Sequence, residues 1–192
     1  MAESQQHGAA PSQKQLVFRR HPNTGEAIEG QLRWGFIPHT TLSRPAIQPI
    51  HVRAETIAEK PMFNDAYRQH RCVAQMNSIF QKDSHGRRFT ISRRDRAVFG
   101  VAGIWDNWRN PEDGEWERTF ALITVEANAA TAPVHDRMLA ILDNSELHRW
   151  LSTEEDPRDL LRPYPAEHLD VSLAKNTRRK RSHSPGSVPR LF

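Results

Sequence analysis

The sequence predicts an α+β domain: a mostly antiparallel sheet, curled toward a barrel, with a few short helices. Three observations carry this prediction. Apolar runs rich in β-branched and aromatic residues recur along the chain, separated by turn-forming clusters. Only two segments have helical spacing, and both are short. Proline-bearing connections too irregular for a sheet interior fill much of the rest.

Taken in order, "QLVFR" (15–19) reads as a strand, "HPNTGE" as a turn and "QLRWGFI" (31–37) as a second strand. Pro38, Pro45 and Pro49 make the next stretch a loop. In "PMFNDAYRQHR" (61–71), Met62, Phe63, Ala66 and Tyr67 recur at helical spacing behind an initial proline, which predicts one short helix. "CVAQMNSIF" (72–80) reads as a strand, and "KDSHGRR" as a hairpin turn into "FTISR". "AVFGVAGIWDNW" (97–108) is a long apolar run with two glycines, hence a buried strand with a bulge or a close backbone approach. "NPEDGEWE" turns the chain into the strand "RTFALITVEAN" (118–128). "NSELHRWLS" (144–152) has an Asn or Ser cap and a short helical pattern. Beyond Asp156, prolines, charges and short apolar pieces alternate.

The charge is uneven. The 192 residues carry a net charge of +4, but residues 175–192 hold six Lys or Arg and no acid. The remaining 174 residues have 21 basic and 23 acidic groups, so the body is near neutral and its net charge does not argue for nucleic acid. Residues 1–9 are expected to be flexible and 177–192 to form a disordered basic tail around a domain spanning 10–176. The single cysteine, Cys72, excludes an internal disulfide and a multi-cysteine zinc site. The ten His have no metal-ligand spacing, so neither a metal nor another cofactor is expected. No apolar run is long enough to span a membrane, and the N-terminus lacks an export signal, which makes the cytoplasm the expected location.

Three constellations can carry chemistry. His135, Asp136 and Arg137 stand together at a strand end; imidazole can move a proton near neutral pH, or the triplet is a structural His–Asp hydrogen bond beside a surface arginine. Trp34, followed by Gly35, either stacks on a base or belongs to the core. Arg53 and Glu55, two apart, point the same way if extended; they clamp a phosphate or form a bland surface pair. The chain has no Gly-rich phosphate loop, no HExxH and no G-x-S-x-G.

In order, "APSQ", "RWGFIP", "VRAETIAEKPMFNDAYRQHRCV", "GVAGIWDNW", "FALITVEAN", "VHDRMLAIL" and "HRWL" resemble the SOS-response-associated peptidase (SRAP) family of abasic-site processing proteins, from about Ala10 to Asn176. The resemblance implies the SRAP fold and binding of single-stranded or 3′-junction DNA at abasic sites by a monomer. It also implies a covalent DNA–protein crosslink made by an N-terminal cysteine, with associated peptidase and lyase chemistry and, in a bacterium, a place near the nucleoid. Carried over residue by residue, His135 matches the catalytic histidine. Trp34, Gly35, Arg53 and Glu55 match a DNA-facing surface, to which Arg137 is added.

Three departures count against full chemistry. The chain begins Met-Ala, so the family's leading cysteine is expected to be missing. Cys72 matches a cysteine that is usually buried and has no adjacent α-amine. "QMNSIFQK" (75–82) stands where the family has "PADGFYEW", so Gln81 replaces the catalytic glutamate, and an amide cannot be a general base. His51 replaces a DNA-contacting asparagine. The expectation is an abasic-site protein with reduced or absent activity, or else a non-catalytic DNA-binding or protein-interaction paralogue.

Overall fold

Alternating burial along β1 (Lys14–Arg20) and β2 (Ala27–Trp34) makes a hairpin with one face inward. A computed structural model describes residues 11–21 and 23–174. β1 pairs on its other side with β4 (Arg71–Met76), and β4 with β7 (Phe99–Arg109), all antiparallel. β7 pairs antiparallel with β8 (Trp116–Glu126), which closes on β2 in parallel. The result is a closed five-stranded barrel, β7-β4-β1-β2-β8, in which no barrel strand is left with a fully open edge. Beyond Leu122, β8 runs past β7 and pairs with β3 (His51–Arg53) and β9 (Arg137–Leu139), while β10 (Ile141–Leu142) pairs with β7. β5 (Ile79–Lys82), β6 (Arg88–Arg93) and β11 (Leu169–Leu173) form a separate antiparallel sheet. Phe36, Ile57, Tyr67, Ile104, Phe120 and Trp150 are among the side chains buried in one continuous core.

Helix α1 (Pro61–Gln69) forms where the spacing predicts it, with Pro61 in its first turn and Phe63, Ala66 and Tyr67 buried. Helix α2 (Leu147–Leu151) follows a single 3₁₀ turn over Asn144–Glu146. Its cap differs from expectation. Asp143, rather than Asn144 or Ser145, forms a reciprocal capping box with Glu146.

Several strand limits also differ. The second strand runs over Ala27–Trp34, not 31–37, because Gly35 at φ +144° turns the chain out of the sheet. The run 72–80 is two strands, broken at Asn77 and Ser78, whose halves enter different sheets. β3, β9, β10 and β11 were not foreseen; each is short and lies among prolines or charges, so only its neighbours make it a strand. Residues 1–9 and the basic tail 177–192 lie outside the described residues.

β7 keeps continuous register with both neighbours, so its glycines mark close approach and not a bulge. A Cβ on Gly103 would lie 2.8 Å from the Ala121 carbonyl and 3.1 Å from the Cys72 sulfur. Gly103→Ala is therefore expected to cost about 1–3 kcal/mol by overpacking, read as a lower urea midpoint; an unchanged midpoint would mean that the barrel wall yields.

Arg71 opens β4 and is buried. Its guanidinium donates to the backbone carbonyls of Tyr67 (2.8 Å) and Trp150 (2.7 Å), and also to those of Arg68, Ser152 and Glu155. The Trp150 indole N–H donates to the Cys72 carbonyl at 2.9 Å. These bonds fasten α2 and the segment after it to the barrel. Among the described residues, no helix is long and apolar enough to cross a membrane.

Candidate functional site

The upper half of β8, freed from β7, draws β3 and β9 beside it, and β5 crosses nearby. A cleft of about 340 Å³ opens there, with Trp34, His51, Gln81, His135 and Arg137 in its walls. Residues from four distant stretches of the sequence thus share one space.

His135 is set by a turn that begins at Asn128. The Asn128 side-chain oxygen accepts the N–H groups of Ala130 and Thr131, both at 3.0 Å, and its amide donates to the Tyr164 carbonyl. The Thr131 carbonyl in turn accepts the His135 N–H at 3.1 Å. The imidazole Nδ1 lies 2.9 Å from the Arg137 amide nitrogen and 2.8 Å from an Asp136 carboxylate oxygen. One nitrogen cannot accept from the first and donate to the second at once, so the two contacts need opposite hydrogen placements on Nδ1. The bland His–Asp contact and the exposure to the cleft are both present.

His51 opens β3, edge-on to the Trp34 ring with centroids 5.8 Å apart. Its pKa is lowered, first by desolvation in the cleft and then by the neighbouring His135. Its ordinary value is 6.5, so the ring is neutral at pH 7 and able to accept a proton. Trp34 itself is only 8% exposed, stacks on Phe120 and donates its indole N–H to the Ile50 carbonyl at 2.9 Å. It forms a wall of the cleft while belonging to the core, so a full face for a base is not on offer.

Arg137 opens β9. It donates to both oxygens of Glu55 at 2.7 and 2.8 Å and to the Thr124 carbonyl at 2.6 Å, while its buried Nε has no partner among the described residues. Gln81 donates its amide to the Arg137 carbonyl at 3.1 Å. The segment after Arg53 turns instead of extending, so Glu55 faces Arg137 and makes no hydrogen bond to Arg53. Arg53, Glu55 and Gly35 stand outside the cleft lining. A Cβ on Gly35 would meet the Gln48 side chain at 2.9 Å, so this glycine serves the turn that ends β2.

Glu55 has a lowered pKa, caused first by the hydrogen bond from Arg137. The sign follows by linkage. A depressed carboxylate contributes stability that is complete above its ordinary value of 4.5 and is lost as the pH falls through its lower folded value. Glu55→Gln is therefore expected to lower the urea midpoint at pH 7, and the gap to the parent to narrow as the pH is taken down below 4.5. A gap that does not change with pH would assign the effect to packing.

Asn128 and Thr124 position the site, and neither is among the residues singled out from sequence. An Asn directly after a strand was the available signal for the first; a backbone carbonyl leaves no signal at all. Cys72 is fully buried against Gly103, and burial pushes its thiol far above the ordinary range. A larger groove of about 760 Å³ runs along Phe18, Val73, Leu147 and Leu151 and contains none of the residues predicted from sequence.

The family model for SOS response associated peptidase (SRAP) matches residues 2–177. The chain is 30% identical over 174 residues to the abasic site processing protein YoqW of Bacillus subtilis (strain 168), covering 86% of this chain and 76% of that protein. It is 25% identical over 180 residues to the abasic site processing protein HMCES of Xenopus tropicalis, covering 79% of this chain but 54% of that longer protein. Among solved structures, a Bacteroides thetaiotaomicron protein superposes with a TM-score of 0.78 at 27% identity, over 86% of this chain and 75% of its own. A Bordetella bronchiseptica protein superposes with a TM-score of 0.76 at 29% identity, over 86% and 85%. The barrel, the added sheet and the match across nearly the whole described length agree: the chain belongs to the SOS response associated peptidase (SRAP) family.

Proposed function

We propose that this protein binds single-stranded DNA at abasic sites and holds the opened sugar in the His51–His135 cleft. The observation that carries the reading is the meeting of two imidazoles and the buried edge of Arg137 in one small cleft, in a chain related to abasic site processing proteins. An opened abasic sugar presents an aldehyde. An attacking amine adds to its carbon, sheds a proton and expels the carbinolamine hydroxyl as water to leave an imine. Neutral His51 takes a proton from the adding amine and returns it to the alkoxide, a proton from His135 lets the resulting hydroxyl leave as water, and the nitrogen's remaining proton stays on the imine as an iminium. Arg137, fixed by Glu55 and the Thr124 carbonyl, holds this wall of the cleft in place.

Gln81 has no titratable proton, so covalent chemistry is slow. That observation favours a second reading, in which the cleft binds the lesion without reacting. An abasic oligonucleotide run on a denaturing gel with and without borohydride, and on a native gel, separates the two. A band trapped only with borohydride, weakened by His135→Ala, supports slow imine chemistry. Native-gel binding without trapping supports the second reading. Equal affinity for intact and abasic strands, with no trapped band, overturns both.

A further inference from the structure

The end of the barrel away from the cleft holds a buried charge without a partner. Strand alternation sends Val17 and Arg19 to the buried face of β1, and Arg19 is only 8% exposed. Its guanidinium lies over the Trp105 ring of β7, 4.8 Å from the centroid. Its Nε is buried with no hydrogen-bond partner, and no ion pair among the described residues includes it. Across the β1–β4 ladder stands Cys72, whose thiol is kept protonated by burial and so cannot serve as the counter-anion. The other charged neighbour of Arg19 is a second cation, the exposed Arg118 of β8, which forms no ion pair among the described residues either. Burial first, and Arg118 next, hold the Arg19 pKa below its ordinary 12.5 without discharging it. Arg118 stands opposite Asn107, which shares the Trp105 face of β7. The Asn107 side-chain oxygen is also buried, with no donor among the described residues. Asp106 points to the other face and is taken by the His39 backbone and ring nitrogens, both at 2.9 Å. Arg118 and Thr124, which lines the cleft, are six residues apart along β8, about 20 Å at the rise of a strand.

We propose that Arg19, Arg118 and Asn107 form an anion site at this end of the barrel, which takes a phosphate group, either inorganic phosphate or the phosphate of a nucleotide. A buried cation that lacks a carboxylate is costly, and a bound anion offsets that cost. Two guanidinium forks present paired donors to a tetrahedral oxyanion and balance its two negative charges. The Asn107 amide, turned over, adds an N–H donor and gives up no hydrogen bond among the described residues. The Trp105 indole is already engaged by Arg19 and by His70, whose ring centroid lies 4.7 Å away, so the site reads charge and offers no platform for a base. The site is independent of the proposed function, because no residue of the cleft enters it.

The test is the melting temperature at pH 7 against phosphate concentration, with chloride making up a constant ionic strength. The parent Tm is expected to rise with inorganic phosphate and, at equal concentration, with thymidine 5′-monophosphate, but not with thymidine. Arg118→Gln, a change at the surface, is expected to need about tenfold more phosphate for the same rise. Arg19→Met, which keeps the packing on Trp105, is expected to lose the response. A nucleotide far more effective than inorganic phosphate would support the site and name the nucleotide as the source. A parent indifferent to both phosphates would overturn the proposal. So would variants whose Tm rises in parallel with the parent, the signature of a general salt effect, and so would thymidine acting as well as its monophosphate. If Arg19→Met does not fold, Arg118→Gln decides alone.

Discussion

Gln81→Glu is expected to raise the rate of borohydride-trapped adduct formation on abasic DNA by about a hundredfold, the lower end of what a positioned acid–base group supplies. Gln81 lies in the cleft with Arg137, and its amide now spends a proton on the Arg137 carbonyl. A carboxylate there cannot donate and is repelled by that carbonyl, so it turns toward the open space faced by His51 and His135. The lost hydrogen bond costs about 1 kcal/mol, small enough to leave the fold intact. Once turned, the carboxylate offers the proton acceptor that an amide lacks. Single-turnover trapping at pH 7 reads the rate. An unchanged rate with unchanged binding would remove position 81 from the chemistry and leave the histidines to account for any adduct.

The largest expected loss of stability belongs to Arg71→Ala, at about 3–5 kcal/mol. One guanidinium serves five backbone carbonyls, from the last turn of α1 to the segment after α2. Removing it leaves buried acceptors without donors and opens a cavity beside Trp150 and Tyr67, over whose rings the guanidinium lies. Lysine keeps the charge but not the fork, so Arg71→Lys should fall between the parent and Arg71→Ala. Urea denaturation at pH 7 checks both. Equal midpoints for Arg71→Ala and the parent would show that water replaces the donor without cost, and that the C-terminal segment is held by Trp150 packing instead.

From sequence, Arg71 stands at the end of the helical segment 61–71 with no role assigned, whereas in the structure it opens β4. A buried arginine with backbone partners looks like any other arginine until the partners are placed. The same holds at the cleft. His135, Gln81, His51 and Trp34 could each be named from sequence, through their chemistry or through a family resemblance. Their meeting could not, because β3 pairs with β8 from far away in the chain, and the local pairings of β5 with β6 and of β9 with β8 do not say that all three strands meet at one cleft. Arg53 and Glu55 illustrate the reverse. Spacing suggested a shared face, but the chain turns after Arg53, and Glu55 finds Arg137 instead.

The sequence by itself determined the approximate places of the barrel strands, the first helix and the identity of the groups that can or cannot move a proton. These follow from side-chain period, side-chain size and functional-group chemistry, which are local. Only the tertiary structure decided where β8 leaves β7, which short segments become strands beside it, and that two imidazoles face one cleft with an arginine already claimed by Glu55. Those outcomes depend on closing a five-stranded ring, and closure is a property of the whole chain that no window of residues contains.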